Sequence, residues 1–321
     1  MIEIKNLTKT FGLIRAVDDI TLTVPRGQVL GFLGPNGAGK STTMKIVTGF
    51  LQPTSGRVSV CGHNVLDNPL AAQRAMGYLP EGAPLYAEMT AEALLHFCAE
   101  ARGYRGADKR RIVRDAAERV HLEGVMRQPI ETLSKGYKRR VGLAQAIMHD
   151  PEVLILDEPT DGLDPNQKHE VRTLIREMAG HKVIVLSTHI LEEVEAVCDR
   201  AVVIAHGRLV GDGTPADLQA RSTYHNAVNL VVTSKPDGLL DALQALPNVA
   251  HVEHHDSHDG RLQCTVLPSN GKPIVTDVSE LLRSRGAQIE RLQVEAGRLD
   301  EVFRKMTTQT DSTDAKTETS T

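Results

Sequence analysis

The chain has 321 residues, enough for one large domain or two modest ones, and 40% of them are apolar, an ordinary share for a soluble globular protein. Its formal charge of −4 leaves no global basic field to argue for nucleic acid. No apolar run approaches the ~18 residues that cross a bilayer, and Met1-Ile2-Glu3-Ile4-Lys5 enters an alternating strand pattern without a signal-peptide core. A cytoplasmic protein is therefore expected, with any membrane part supplied by another chain.

In chain order, residues 2 to 33 read as three strands. Ile2, Ile4 and Leu7 mark the first, Ile20, Leu22 and Val24 the second, and Val29 to Leu33 the third. Pro25-Arg26-Gly27 is a turn. Phe11 sits in the first connection, where it is either a core residue or an aromatic free to stack on a ring. The next stretch organises everything else. Gly34-Pro35-Asn36-Gly37-Ala38-Gly39-Lys40-Ser41-Thr42 reads G-x-x-x-x-G-K-S between a short apolar strand and a helical pattern. Glycines let consecutive backbone N–H groups turn inward, and with the helix N-terminus they cradle anionic oxygens. In such a loop Lys40 reaches the β- and γ-phosphates and the Ser41 hydroxyl ligates Mg²⁺.

Arg57 to Cys61 reads as a strand, and Ala75 to Glu81 as another that Pro80 stops. Residues 84 to 148 change character and read as a helical insertion between two halves of an α/β core. Thr90 is the expected N-cap of Ala91 to Ala101, and Asp108 that of a helix through Val120. Glu152-Val153-Leu154-Ile155-Leu156-Asp157-Glu158 then predicts a buried parallel strand with acids at its carboxyl end, the end at which open α/β sheets hold ligands. Alternation along a strand points Asp157 and Glu158 in different directions. One carboxylate is then free for Mg²⁺ through water, the other for the γ-phosphate and a lytic water. A helix is expected over Asn166 to Ala179, and a second apolar strand, Lys182 to Leu186, ends in Ser187-Thr188-His189. His189 is placed there either to meet a γ-phosphate or simply to be hydrogen-bonded. Leu191 to Val197 is helical, and Ala201 to Ile204 pairs with Arg208 to Val210 around His206-Gly207.

Composition shifts near Arg221. The elements that follow are strand Ala227–Val232, helix Gly238–Leu246, strands Val249–His254 and Leu262–Leu267, helix Ile274–Arg285, strand Ile289–Val294 and helix Leu299–Met306. This β-α-β-β-α-β order is the ferredoxin-like split arrangement, an α+β accessory domain over residues 222–306. His251, His254, His255 and His258 cluster at its central hairpin. His251 and His254 face opposite sides of a strand, so a solvated hairpin tip is the stronger reading and a metal site the weaker. Residues 307 to 321 are rich in Thr, Ser, Asp and Glu and are expected to be disordered. Cys61, Cys98, Cys198 and Cys264 lack C-x-x-C spacing and read as reduced, mostly buried thiols.

Over roughly residues 1 to 220, this ordered set of motifs resembles the ATP-binding subunit of an ABC transporter, a P-loop NTPase. Gly34 to Thr42 resembles Walker A, Leu133-Ser134-Lys135-Gly136-Tyr137 the signature loop, and Leu154 to Glu158 with Pro159-Thr160 Walker B. Gly162-Leu163-Asp164 resembles the D-loop, Thr188-His189 the switch histidine, and Phe11 the adenine-stacking aromatic. The family has Gln where Glu81 stands, at a loop that senses Mg²⁺ and touches the membrane partner, so Glu81 adds negative charge beside the metal. The signature ends in Lys135-Gly136-Tyr137 instead of Gly-Gly-Gln. These features and Gly77 to Glu81 are similar to the branch that pairs with ABC-2-type permeases, including gliding-motility and multidrug-like exporters.

The resemblance implies an ATP- and Mg²⁺-dependent ATPase over residues 1–221 that drives a separate ABC-2-type permease from the cytoplasmic face. It implies a head-to-tail homodimer in which each copy's Ser134 and Gly136 face the other copy's nucleotide. Glu158, His189 and Lys40 are the implied catalytic residues, and Ser41, Glu81 and Asp157 the implied Mg²⁺ set. The nucleotide set adds Phe11, Gly34, Pro35, Asn36, Gly37, Ala38, Gly39, Thr42, Ser134, Gly136 and Asp164. Two other classes remain as alternatives. One is a soluble ABC ATPase acting on ribosomes or DNA, whose relatives carry paired cassettes or a long coiled-coil insertion. The other is a regulatory ATPase whose C-terminal domain senses a ligand.

Overall fold

The computed structural model describes residues 1–233, 236–255 and 261–314, which cluster into two compact units, Met1–Asp212 with the last described residues from 309 on, and Gly213–Thr308. In the first, β1 (Ile2–Phe11) and β2 (Ile14–Val24) form a hairpin, followed by β3 (Val29–Leu33), α1 (Lys40–Val47), β4 (Ser55–Val60), β5 (His63–Asn64), α2 (Pro69–Arg74) and β6 (Met76–Leu79). Then come α3 (Ala91–Ala101), α4 (Gly106–Arg119), α5 (Lys135–Ile147), β7 (Val153–Asp157), α6 (Pro165–Ala179), β8 (Val183–Thr188), α7 (Leu191–Val197), β9 (Arg200–Ala205) and β10 (Arg208–Gly213).

A six-stranded sheet runs β10-β9-β3-β8-β7-β6. Its β6–β7, β7–β8, β8–β3 and β3–β9 pairs are parallel. Every residue of β3, β7 and β8 is buried, which is why these strands read as continuous apolar runs instead of alternating ones. A second sheet, β2-β1-β4-β5, is antiparallel and alternates. Ile2, Ile4, Leu7, Ile20, Leu22 and Val24 point into one core shared with Leu30, Phe32, Met44 and Ile155. The helices α3, α4 and α5 lie between β6 and β7 in sequence, as the helical insertion predicts. Thr90 caps α3 by accepting from the Ala93 N–H at 3.1 Å. Asp108 does not cap α4. The helix starts two residues earlier, at Gly106 after an extended Arg105, and Asp108 lies in its first turn, where a carboxylate still favours the positive helix end.

The second unit begins at Gly213, not near Arg221. The reason is tertiary: α8 (Pro215–Gln219), closed by a reciprocal Thr214–Asp217 capping box, packs so closely on a distant part of this unit that a Cβ on Gly297 would sit 2.2 Å from the Gln219 carbonyl oxygen. Beyond it lie β11 (Val228–Val232), α9 (Leu239–Gln244), β12 (Val249–His255), β13 (Leu262–Pro268), α10 (Val275–Ser284), β14 (Ile289–Val294) and α11 (Leu299–Asp314). The sheet order is β12-β13-β11-β14, all antiparallel. Its core gathers Val228, Leu230, Val232, Leu262, Cys264 and Val266 under Leu243, Val278 and Leu282.

The stretch expected to be disordered from residue 307 continues α11 as far as Asp314. Extending a formed helix avoids the nucleation cost, and the Thr307 and Thr308 hydroxyls bond back to the Phe303 and Arg304 carbonyls at 2.9 and 2.8 Å. Residues 315–321 lie outside the described set. In the His cluster, the His255 ring lies 3.0 Å from the Thr265 hydroxyl, and His258 lies outside the described residues. No helix among the described residues is long and apolar enough to cross a membrane.

Candidate nucleotide site

Strand register assembles the site. Leu33, the last residue of β3, pairs with Thr188 at the end of β8, and Asp157 at the end of β7 pairs with Ser187. The loop after β3, the two acids and His189 therefore leave the carboxyl ends of neighbouring strands together. Gly37 and Gly39 adopt φ of 80° and 107°, backbone that only glycine takes without strain. A Cβ on Gly39 would lie 2.4 Å from the Ala16 carbonyl oxygen, and one on Gly34 2.6 Å from that of Ile204. The loop is thus pressed between β2 and β9 and held open on its other side.

That open side is a cavity of about 290 Å³ walled by the 34–42 loop, Ala16, Glu81 and Glu158. Lys40 opens α1 and is 6% exposed. Its Nζ donates to the Gly34 and Pro35 carbonyls at 2.6 and 3.2 Å, leaving one of three ammonium hydrogens unassigned. Burial lowers its pKa, opposed by the carboxylates of Glu158, Asp157 and Glu81. A buried cation among three acids is a setting in which a polyanion with a divalent cation replaces lost solvation.

Asp157 is 1% exposed. The Ser187 hydroxyl donates to its Oδ1, while the buried Oδ2 has no protein partner. A fully buried carboxylate oxygen without a donor is costly unless a cation or water reaches it, so Asp157 suits a Mg²⁺ site, with Ser41 across the adjoining cleft. Glu158 follows at φ 52°, a turn out of the strand that sends its side chain to the phosphate cavity. Its N–H donates to the Ser187 carbonyl at 3.0 Å. His189 Nδ1 lies 3.0 Å from Glu158 Oε1, and the Thr188 hydroxyl holds the intervening turn, accepting from the Ile190 N–H and donating to Glu193.

A family model described as ABC transporter matches residues 17–161. The linearmycin resistance ATP-binding protein LnrL of Bacillus subtilis (strain 168) is 30% identical over 97% of this chain and 99% of its own length. The chain belongs to the ABC transporter ATP-binding proteins. The Nod factor export ATP-binding protein I of Burkholderia lata is 37% identical over 67% of this chain and 71% of its own. A solved structure of an ATP-binding subunit of an ABC transporter superposes with a TM-score of 0.64 at 34% identity, covering 68% of this chain and 92% of that one. The chain is an ABC ATPase, and ATPases of this family bind ATP and pair with membrane permeases.

In this ABC ATPase the remaining motif residues stand apart from the cavity. Ser134 caps α5, accepting from the Tyr137 N–H at 3.3 Å. The atoms nearest a Cβ on Gly136 would be those of the Gln167 side chain, the first at 2.4 Å. Asp164 caps α6 by accepting from the Gln167 N–H at 2.9 Å. None of the three walls the phosphate cavity. Phe11 is 47% exposed at the β1–β2 hairpin, with Lys9 Nζ 4.9 Å from its ring; Ala16, not Phe11, reaches the cavity. Glu81 borders both this cavity and a larger cleft of about 900 Å³ that runs past Tyr78 and Gln145 to Phe50, which is 80% exposed. Burial, with Asp157 and Glu81 nearby, pushes the Tyr78 phenol up to about 12.

Reading motifs missed Ala16 and Glu193, and named Ser187 and Thr188 at the end of their strand without giving either a role. Ser187 and Thr188 carried a signal, two hydroxyl residues ending an otherwise apolar strand. Ala16 carried none, because its contribution is a backbone approach.

Proposed function

We propose that this ATP-binding subunit powers a separate ABC-2-type permease, in the direction of export, from the cytoplasmic face of the membrane, and that it works as a homodimer. The observation that carries the reading is the gathering of Lys40, Asp157, Glu158 and His189 at the carboxyl ends of neighbouring strands while Ser134 and Gly136 stay outside the cavity. One copy has the cradle and the base; a second copy, placed head to tail, supplies a signature helix N-terminus whose partial positive charge faces the γ-phosphate.

In this reading the backbone N–H groups of residues 36, 37 and 39–42 hold the phosphates, Lys40 meets the β- and γ-oxygens, and Phe11 stacks on the base. Ser41, Asp157 and Glu81 would hold Mg²⁺, which when bound neutralises developing charge on the phosphates. Glu158 accepts a proton from the attacking water. His189, anchored through Thr188, fixes the Glu158 carboxylate and meets the γ-phosphate. Because phosphoryl transfer depends mainly on positioning and electrostatics, these fixed charges supply most of the acceleration.

The permease reading is supported by the cleft that Glu81 borders, where a large exposed Phe50 offers apolar surface beside the site. Export is supported by relatives named for linearmycin resistance and Nod factor export. Gentle solubilisation of native membranes and capture of the tagged protein tests it. A polytopic membrane protein in stoichiometric amount is the expected companion, and recovery with ribosomes or DNA alone would overturn the reading.

A further inference from the structure

The helix α7 is fixed on three sides. β3 comes so close to it that a Cβ on Gly31 would lie 3.0 Å from Cys198 Sγ and 3.3 Å from a Val194 methyl. Just past its end, the Asp199 N–H donates to the Val29 carbonyl at 2.9 Å, and the Val29 N–H donates to Asp199 Oδ2 at 2.8 Å. From α6, Arg176 Nε donates to the Ala196 carbonyl at 3.0 Å.

The first turn of α7 carries two acids, Glu192 and Glu193. Glu192 is exposed and already favours the positive helix end. Glu193 is 2% exposed. Its Oε2 accepts from the Thr188 hydroxyl at 2.9 Å, and its Oε1 is buried with no partner among the described residues. An interior carboxyl satisfied on one oxygen is costly, and an apolar side chain of similar volume would serve packing better. What the carboxyl holds is Thr188, itself fully buried. The Thr188 hydroxyl has one hydrogen; giving it to Glu193 turns a lone pair toward the Ile190 N–H, from which it accepts at 3.0 Å. The Glu193 N–H donates to the Ile190 carbonyl at 3.1 Å. Thr188 and Ile190 flank His189. One residue of a fixed helix therefore binds both neighbours of the imidazole that lies 3.0 Å from Glu158 Oε1.

We propose that Glu193 is a positioning residue: through Thr188 it ties the turn that carries His189 to α7, and so holds the imidazole against Glu158. Glu193 does not wall the phosphate cavity and acts through Thr188, not on the nucleotide. The kinetic part rests on the roles proposed for His189 and Glu158; the tether itself does not.

The test uses the full chain with three substitutions. Glu193→Met removes the acceptor at similar volume, Glu193→Gln keeps a carbonyl oxygen for the Thr188 hydroxyl, and Thr188→Val cuts the tether at its other end. Each is made in the native and His189→Ala backgrounds and read first by steady-state MgATP hydrolysis. Glu193→Met and Thr188→Val are each expected to lower kcat about tenfold, as for a small misplacement of a reacting group. KM for ATP is expected to change less than about twofold. Glu193→Gln recovers most of the loss, because the acceptor is kept. In the His189→Ala background Glu193→Met adds nothing, because the residue it positions is gone. An equal fall in both backgrounds would overturn the proposal, as would equal losses in the Gln and Met variants.

The second readout is independent of turnover. Diethyl pyrocarbonate modifies imidazoles, and mass spectrometry of the His189 peptide gives its rate without nucleotide. Glu193→Met and Thr188→Val are expected to change that rate severalfold, with Glu193→Gln near native; a native rate in both would refute the tether. If Glu193→Met does not fold, Thr188→Val carries both readouts. A shifted modification rate beside a native kcat in His189→Ala would uphold the tether and remove His189 from hydrolysis, which separates the two failures.

Discussion

His189 Nδ1 and Glu158 Oε1 lie 3.0 Å apart across the ends of two neighbouring parallel strands. Glu158 is 8% exposed, while the His189 side chain is 55% exposed. The inner residue is oriented by the outer one, and the outer one is free to respond to whatever enters the cavity. Glu158→Gln should therefore keep ATP binding and lower kcat by ~10²–10⁴, the usual value of a positioned general base. It should also leave an ATP-stabilised dimer visible by sedimentation. Turnover at the native rate would remove Glu158 from the role of base.

His189→Ala should lower kcat by a smaller factor than Glu158→Gln, because it removes the orienting partner and leaves the base. In the Glu158→Gln background it should add little, since residues acting as a unit are not additive. Full additivity in a double-variant kinetic comparison would mean that the 3.0 Å contact carries no function.

Lys40→Ala and Gly39→Ala should both lose nucleotide affinity, by different routes. Lys40→Ala removes a buried cation and should leave the fold intact. Gly39→Ala places a Cβ 2.4 Å from the Ala16 carbonyl at φ 107°, and backbone cannot yield as a side chain does. It should lower the melting temperature by several degrees as well. Calorimetric titration with ATP beside a thermal melt separates them, and native ATP affinity in Lys40→Ala would sink the phosphate cradle.

Gly136→Ala makes the opposite case. The atoms nearest the added methyl belong to the flexible Gln167 side chain, so although Gly136 is buried the melting temperature should fall less than in Gly39→Ala, where backbone stands in the way. If a second copy's nucleotide approaches this helix end, ATP-driven dimerisation and kcat should still fall. Native dimerisation in this variant would argue against a shared site.

His149 governs a pH dependence far from the phosphates. Burial, with the nearby Arg102 charge adding to it, lowers its pKa to about 4, against a backbone hydrogen bond to Met76 that favours the charged form. The unfolded chain takes up this proton near the ordinary histidine value and the folded one only near 4, so stability falls as pH drops from about 6.5 to about 4. His149→Gln should flatten that part of the melting-temperature profile. An unchanged slope would place the acid sensitivity elsewhere.

The phosphate loop, the acid-tipped strand Val153–Asp157 and the strand ending at Thr188 were legible in the linear chain. Each is a contiguous run whose glycines, apolar residues and terminal polar groups state their own conformation. The element order of the second unit was legible for the same reason, since the hydrophobic period changes with each strand and helix. Local reading went astray where a neighbour decided the outcome. The start of the second unit depends on the contact of Gly297 with Gln219, and the end of α11 on a helix already nucleated upstream.

The relationships that make a site of these motifs were not in the linear chain at all. Ser187 satisfies one oxygen of Asp157 and nothing satisfies the other; Ala16 closes on Gly39; Arg139 joins Pro80 to Asp161. A motif is read from residues adjacent in sequence, whose geometry is set by backbone stereochemistry. A buried charge is balanced by residues brought close by strand register and helix packing, and those distances exist only after the chain has folded.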